Sequence, residues 1–188
     1  MIDYNKIEAI PEIDLLLEIS NKLPDSPTIV EIGTYLGGTT VRLAQHRPDA
    51  KITTIDCCEH GDNWIPPYNT YVQEYLVKQV LNGPVTKTHL INNVKRFSNI
   101  NFIEGYSPEC AKDWNKEIDL YFEDGNHGNP YLHNNLIFWS KFVKNGGYLA
   151  AHDYCIECPD IIKEIDKFIG NGWIKIQQDR RLIVLKKC

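Results

Sequence analysis

Two stretches of this 188-residue chain hold residues whose types and spacing could do chemistry. The first is Glu31-Ile32-Gly33-Thr34-Tyr35-Leu36-Gly37-Gly38-Thr39-Thr40. An apolar run ending in a carboxylate, then glycines, then a helical pattern, turns backbone N–H groups toward a ligand. In this reading Gly33, Thr34, Tyr35, Gly37 and Thr39 line the loop. A dinucleotide fold wants a second glycine where pyrophosphate presses on the backbone, and here that position is Tyr35. Glu31 also suits a cationic amino group better than a phosphate. Downstream, Asp56 closes the next apolar run, where a carboxylate can accept ribose hydroxyls. Together these features imply an adenosine-containing ligand with a cationic end.

The second stretch is Glu123-Asp124-Gly125-Asn126-His127 with the later His152-Asp153-Tyr154. Both follow short apolar runs that read as neighbouring parallel strands, so Asp124 and His152-Asp153 should converge at the carboxyl edge of one sheet. Two carboxylates and an imidazole could hold a divalent ion that lowers the pKa of a bound hydroxyl. Oxygen ligation alone would indicate magnesium, whereas His152 as a ligand shifts preference toward manganese, iron or zinc. His127, with an ordinary pKa near neutrality, is a candidate general base. Taken singly, each histidine reads better as a hydrogen-bonded loop residue; Asp124, His127, His152 and Asp153 together at one edge are what carry the reading. Tyr106 and Trp64 are aromatic candidates for a pocket wall.

The elements needed to position these residues are legible in the hydrophobic pattern. Short apolar runs at Thr28–Ile32, Lys51–Ile55, Ile100–Ile103, Ile118–Phe122 and Tyr148–Ala151 alternate with helical periods, the signature of a parallel α/β sheet. Helices are expected from Pro11 to Leu23, Thr39 to His46, His89 to Phe97, from Pro130 through Val143 to a stop at Asn145-Gly146-Gly147, and from Pro159. Trp173–Gln177 and Leu182–Leu185 read as a hairpin joined by Gln178–Arg181. Residues 57–88 interrupt the alternation with a turn-rich aromatic segment, Asn63–Asn69, and a helical stretch around Tyr71–Val80. They read as a lid or substrate wall, or as an extra packing element.

Here a family resemblance enters. The Glu31–Thr40 segment resembles the first motif of class I S-adenosylmethionine-dependent O-methyltransferases, in the form E-I-G-x-x-x-G-x-[ST]. Ile118–His127, Trp139, Gly146-Gly147 and His152-Asp153-Tyr154 are similar to a further block of that family, and the likeness covers residues 29 to 165. The resemblance implies a Rossmann-like, doubly wound, seven-stranded sheet, mostly parallel with the last strand antiparallel, and helices on both faces. It implies S-adenosylmethionine as cofactor, with Glu31 and Gly33 at the methionine moiety, Asp56 at the ribose, Ser107 near the adenine, and Asp124 at the cofactor edge. The acceptor it implies is a small-molecule hydroxyl. Two positions depart from the pattern: Asn135 stands where the family usually has Asp, and His152-Asp153 where metal-dependent members carry adjacent Asp/Asn residues. Ile65-Pro66-Pro67-Tyr68 resembles the [DN]-P-P-[YF] motif of amino-methyltransferases but follows the wrong strand and begins with Ile.

Bulk properties bound the alternatives. The length suits one domain over 1–188 with an N-terminal helical segment at 1–27. The formal charge of −5, with no Lys/Arg cluster longer than Arg180-Arg181 or Lys186-Lys187, disfavours nucleic acid as a partner. No apolar run reaches membrane-spanning length and no signal pattern opens the chain, so a cytoplasmic setting is expected. Six scattered cysteines agree with a reducing compartment. Cys155-Ile156-Glu157-Cys158 is either a redox pair or half a zinc site, with no second half in sequence. Oligomeric state stays open, a homo-oligomer included. Two other functions compete with methyl transfer: a nicotinamide-dependent oxidoreductase, and a non-catalytic adenosine-ligand protein on the same fold.

Overall fold

The computed structural model describes residues 2–58 and 72–188. In chain order these form α1 (Ile13–Ser20), β1 (Thr28–Ile32), α2 (Gly38–His46), β2 (Lys51–Asp56), a π-helical segment (Val72–Leu81), α3 (Lys87–Val94), β3 (Ile100–Glu104), β4 (Ile118–Glu123), α4 (Tyr131–Trp139), β5 (Val143–Ala151), α5 (Pro159–Asp166), β6 (Trp173–Asp179) and β7 (Leu182–Lys187). The seven strands make one sheet in the order β3-β2-β1-β4-β5-β7-β6. β1 to β5 are mutually parallel, and β7 runs antiparallel to both β5 and β6. This is the mostly parallel, helix-flanked sheet the pattern implied. No helix among the described residues is long and apolar enough to cross a membrane.

Strand alternation sorts the core onto two faces. Val30, Ile32, Tyr121 and Leu149 pack with Leu132, Leu136 and Trp139 of α4 and with Ile161 and Ile165 of α5. Ile29, Leu120, Phe122, Ala150 and Val184 pack with Leu16 and Ile19 of α1 and Leu43 of α2. Central strands buried on both faces read as continuous apolar runs, which is why β1 and β4 stood out in sequence. The order reverses between β1 and β4, the place where an open α/β sheet parts to make a crevice.

Four elements differ in their boundaries from expectation, α1 among them, which spans Ile13–Ser20 in place of Pro11–Leu23. The helix expected to run from Pro130 through Val143 stops at Trp139, and Val143 to Gly147 belong to β5. Val143 is buried and pairs with Ile118. The two glycines allow an irregular strand entry: Gly146 has φ +81°, and a Cβ on Gly147 would lie 3.0 Å from Lys144 O. Glycines that resembled a helix cap instead shape a strand. α3 starts and ends earlier than His89–Phe97, because Thr86 caps it by accepting the His89 N–H. The β6–β7 turn is tighter than four residues, since the strands reach Asp179 and Leu182. Asn63–Asn69, Trp64, the Ile65–Tyr68 segment and Tyr71 lie outside the described residues.

Candidate active site

The β1–α2 loop is held by buried hydrogen bonds. Glu31 is 1% exposed, and its Oε2 accepts from the Thr40 hydroxyl and, at 2.6 Å, from the Thr54 hydroxyl. Burial pushes its pKa up to about 8, against the pull of those two hydroxyls. Asp56, at the end of β2, turns its carboxylate onto the loop. Its Oδ2 accepts the backbone N–H of Thr34 at 2.9 Å and of Tyr35 at 2.8 Å, and its Oδ1 accepts that of Cys58 at 2.8 Å. Asp56 therefore shapes the loop as well as ending the strand. A carboxylate has about four acceptor positions, so capacity remains for a ribose hydroxyl. Tyr35, Asp56, Cys58, Thr86, Lys87 and Leu90 line a cleft at this point.

Two glycines of the motif have steric reasons. Gly33 has φ +90°, and a Cβ there would sit 2.1 Å from the Asp124 carbonyl oxygen. Gly38 faces the N-terminal segment: a Cβ would lie 1.9 Å from Glu8 O. That segment, residues 8–12, crosses the start of α2, where Thr39 Oγ1 accepts the Ile10 N–H at 3.1 Å. Thr39 is thus engaged by the chain's own N-terminal stretch. Gly37 caps α2 in the left-handed region, φ +79°. Buried Asn93 of α3 donates to Leu36 O at 2.8 Å and braces the loop from behind. Ser107 lies beyond β3, where its hydroxyl accepts the Trp139 indole N–H at 2.8 Å. Tyr106 beside it is exposed.

At the ends of β4 and β5 the expected residues meet. Ligand atoms of Asp124, His152 and Asp153 lie within 4.8 Å of one another. They are held as an ion-paired cluster. His152 Nδ1 is 3.0 Å from Asp124 Oδ1 and 3.2 Å from Asp153 Oδ2, while its Nε2 is 3.0 Å from Glu12 Oε2. Burial opposes a charge on His152, yet the carboxylates of Asp124 and Asp153 outweigh it and push the pKa up to about 11. Both ring nitrogens then donate, and a fixed imidazolium sits among three carboxylates. His127 Nε2 is 3.0 Å from Asp153 Oδ2, and that hydrogen bond raises the His127 pKa. With Nε2 so held, Nδ1, which faces Cys158 Sγ at 3.8 Å, is the nitrogen that can accept a proton. Arg181 completes the cluster, its Nη1 3.1 Å from Asp153 Oδ1.

Glu12, Arg181 and Glu123 escaped the sequence reading. Glu12 is 3% exposed and sits 140 residues from its partner His152. No local pattern marks it; a carboxylate in an apolar helix start was the one signal. Arg181 comes from the tight β6–β7 turn. Glu123, buried behind Asp124, accepts from the Tyr121 hydroxyl and from Gly125 N at 3.1 Å. Burial pushes its pKa up to about 7. Asn135 packs beside it, and its buried Oδ1 has no partner among the described residues. At the opposite, amino edge of the sheet, Asn21, Asp25, Arg47 and Asp49 line a polar hollow in which Arg47 pairs with Asp49 at 2.9 Å. It holds none of the chemistry described above.

Comparison with known proteins identifies the family and the fold. The family model described as "Methyltransferase domain" matches residues 30–154, which contain both the β1–α2 loop and the β4–β5 edge. An uncharacterized protein, R132, of Acanthamoeba polyphaga mimivirus is 25% identical over 150 residues, covering 78% of this chain. The chain spans 61% of the length of that relative. Three solved structures share the fold. The O-methyltransferase NovP has TM-score 0.62 at 16% identity, covering 94% of this chain and 78% of its own. An rRNA methylase from Streptococcus thermophilus has TM-score 0.59 at 16% identity, with 94% and 93% covered. SMU.1697c from Streptococcus mutans, a putative methyltransferase solved with S-adenosylhomocysteine, has TM-score 0.62 at 14% identity, with 96% and 99% covered. With more than half its length matched, the chain belongs to the methyltransferase-domain family, on the class I S-adenosylmethionine-dependent methyltransferase fold.

Proposed function

We propose that the protein transfers a methyl group from S-adenosylmethionine to a hydroxyl of a small molecule, in a cytoplasmic setting. The observation that carries this is the His127–Asp153 pair, Nε2 to Oδ2 at 3.0 Å, at the same sheet edge as Asp124 and beside the cofactor loop. S-adenosylmethionine, held at the β1–α2 loop, would supply the electrophilic methyl group, with S-adenosylhomocysteine as the leaving product. Asp56, with the acceptor capacity left after it takes the Thr34 and Tyr35 amides, would hold the ribose, with Ser107 on the adenine side. Glu31, mostly protonated at neutral pH in the ligand-free protein, would ionise beside a cationic amino group and so release a proton on binding. His127 Nδ1 takes the acceptor's hydroxyl proton, and Asp153 orients and stabilises the imidazolium that results. Asp124 and His152 fix the edge on which the acceptor is positioned, and positioning supplies much of the rate.

A small acceptor suits the net charge of −5 and the absence of a basic stripe in the sequence. A second reading has one observation in its favour: the grouping of Asp124, His152 and Asp153 within 4.8 Å would also accept a magnesium or manganese ion. Against it, His152 spends both nitrogens on carboxylates, so an ion would have to displace a strongly held proton. Titration calorimetry with S-adenosylhomocysteine and NAD, followed by turnover over a hydroxyl-acceptor panel with and without chelator, separates these cases. Binding of NAD in place of S-adenosylhomocysteine overturns the proposal. Tight S-adenosylhomocysteine binding without turnover favours a non-catalytic ligand protein. Activity lost to chelation and restored by magnesium favours the metal-assisted version; activity that survives chelation and falls in His127→Asn favours the base.

A further inference from the structure

In sequence, Cys155-Ile156-Glu157-Cys158 lacks a second pair of ligands. The fold supplies one of the two. We propose that Cys155, Cys158 and His127, with water in the fourth position and Asp153 holding the far ring nitrogen of His127, form a binding site for a thiophilic divalent cation of the zinc type, immediately outside the charged edge. Asp153, Cys155 and Cys158 each place one ligand atom within 4.8 Å of the other two. Two backbone bonds lock the arrangement: Cys155 N to Asp153 O at 2.8 Å, and Cys158 N to Cys155 O at 2.9 Å. His127 brings its Nδ1 to 3.8 Å from Cys158 Sγ. Sulfur and nitrogen ligands on a tetrahedral zinc are separated by about 3.5 Å, so this pair needs little movement to close on an ion.

The surrounding contacts favour ligation over an unstructured thiol pair. The other ring nitrogen of His127 is held by Asp153, the carboxylate–histidine arrangement that orients a metal-bound imidazole. None of His127, Cys155, Cys158 and Asp153 is fully buried, so an ion can enter from solvent. Sulfur ligands select zinc over magnesium, which keeps this site chemically distinct from the oxygen-rich group at Asp124. An ion here engages His127 Nδ1 and withdraws it from proton transfer. The ion site itself does not depend on the methyl-transfer reading; only its effect on proton transfer by His127 rests on that reading.

The test is anaerobic titration of the reduced full chain with cobalt(II), read by absorption. The expected result is one equivalent bound, with a near-ultraviolet thiolate-to-cobalt charge-transfer band and the intense visible bands of four-coordination; zinc abolishes both by competition. Cys155→Ser and Cys158→Ser should each weaken cobalt affinity by at least roughly 10–100-fold and diminish the charge-transfer band, while His127→Ala removes the four-coordinate visible signature. Cys110→Ser and Cys188→Ser, at exposed thiols elsewhere, should change nothing. S-adenosylhomocysteine binding by each variant reports that the fold is intact. Absence of the band in wild-type protein overturns the proposal. So does a band that persists in the Cys155→Ser/Cys158→Ser double variant, which would place the ion at Cys57 and Cys58. Failure to bind S-adenosylhomocysteine with the cobalt spectrum present counts against the proposed function and leaves this site standing.

Discussion

The two ends of the crevice are built on opposite principles. The β1–α2 loop is shaped by backbone: a glycine where no Cβ fits, a carboxylate taking amide protons, and a buried glutamate satisfied by two threonine hydroxyls. The β4–β5 edge is shaped by charge: an imidazolium among three carboxylates, a second histidine, and an arginine. The first kind of order is a fit of backbone shape, with Asp124 O against Gly33 and Asp56 on the Thr34 and Tyr35 amides. The second requires groups from distant parts of the chain to balance one another. Steric order tolerates almost no substitution, whereas compensated charge can lose one member and still hold.

That contrast can be broken by experiment. Gly33→Ala should be the most damaging change, because the added Cβ meets Asp124 O at 2.1 Å. A loss of about 4 kcal/mol in denaturant unfolding is expected, with S-adenosylhomocysteine binding lost as well. Gly146→Ala has a similar φ of +81° but open space around it, so only backbone strain, about 1 kcal/mol, should appear. Equal effects at the two glycines would refute the steric account. Glu12→Gln tests the other end. Two carboxylates still face His152, so the cost should be about 2 kcal/mol, with a lowered His152 pKa by NMR titration and unchanged S-adenosylhomocysteine affinity. A matching fall in cofactor affinity would show that the two ends are one unit.

The pH dependence carries a definite sign. Glu31 and Glu123 have folded pKa values of about 8 and about 7, both above the ordinary 4.5. The native state therefore holds protons that the unfolded chain releases. Their contribution is complete below pH 4.5 and is lost as pH rises through 7 and 8. Each group should lower stability by about 1.4 kcal/mol per pH unit across its interval. Glu123→Gln should flatten that slope in a series of thermal melts; an unchanged slope would mean Glu123 is not protonated in the fold. The smallest expected effect is Thr54→Val, about 1 kcal/mol, with the Glu31 pKa moving further upward because a hydrogen bond to its charged form is gone.

Sequence and structure agree where order is local. β1, β2, β4, the motif glycines and the convergence of Asp124 with His152-Asp153 follow from short-range pattern and from the rule that ligands collect at the carboxyl ends of parallel strands. Reasoning from type alone was less complete about what each residue touches. Thr39 engages Ile10, Ser107 engages Trp139, and Asp56 engages three amides of its own chain. Glu12 and Arg181 were illegible because their partners lie 140 and 28 residues away and no periodicity links them. The Gly146-Gly147 stop was misread for a related reason: only tertiary pairing of Val143 with Ile118 shows that the strand has already begun.

The short stretch from Glu8 to Glu12 touches both ends of the crevice. Glu8 O abuts Gly38, Ile10 N bonds to Thr39, and Glu12 reaches His152. Its length therefore acts as a gauge block between two fixed stops. One inserted residue would add about 3.5 Å of chain, more than a hydrogen bond can absorb. Such an insertion could keep the seat against Gly38 or the pairing with His152, but not both. Homologous chains that share both contacts should hold this interval at constant length while the residues within it vary.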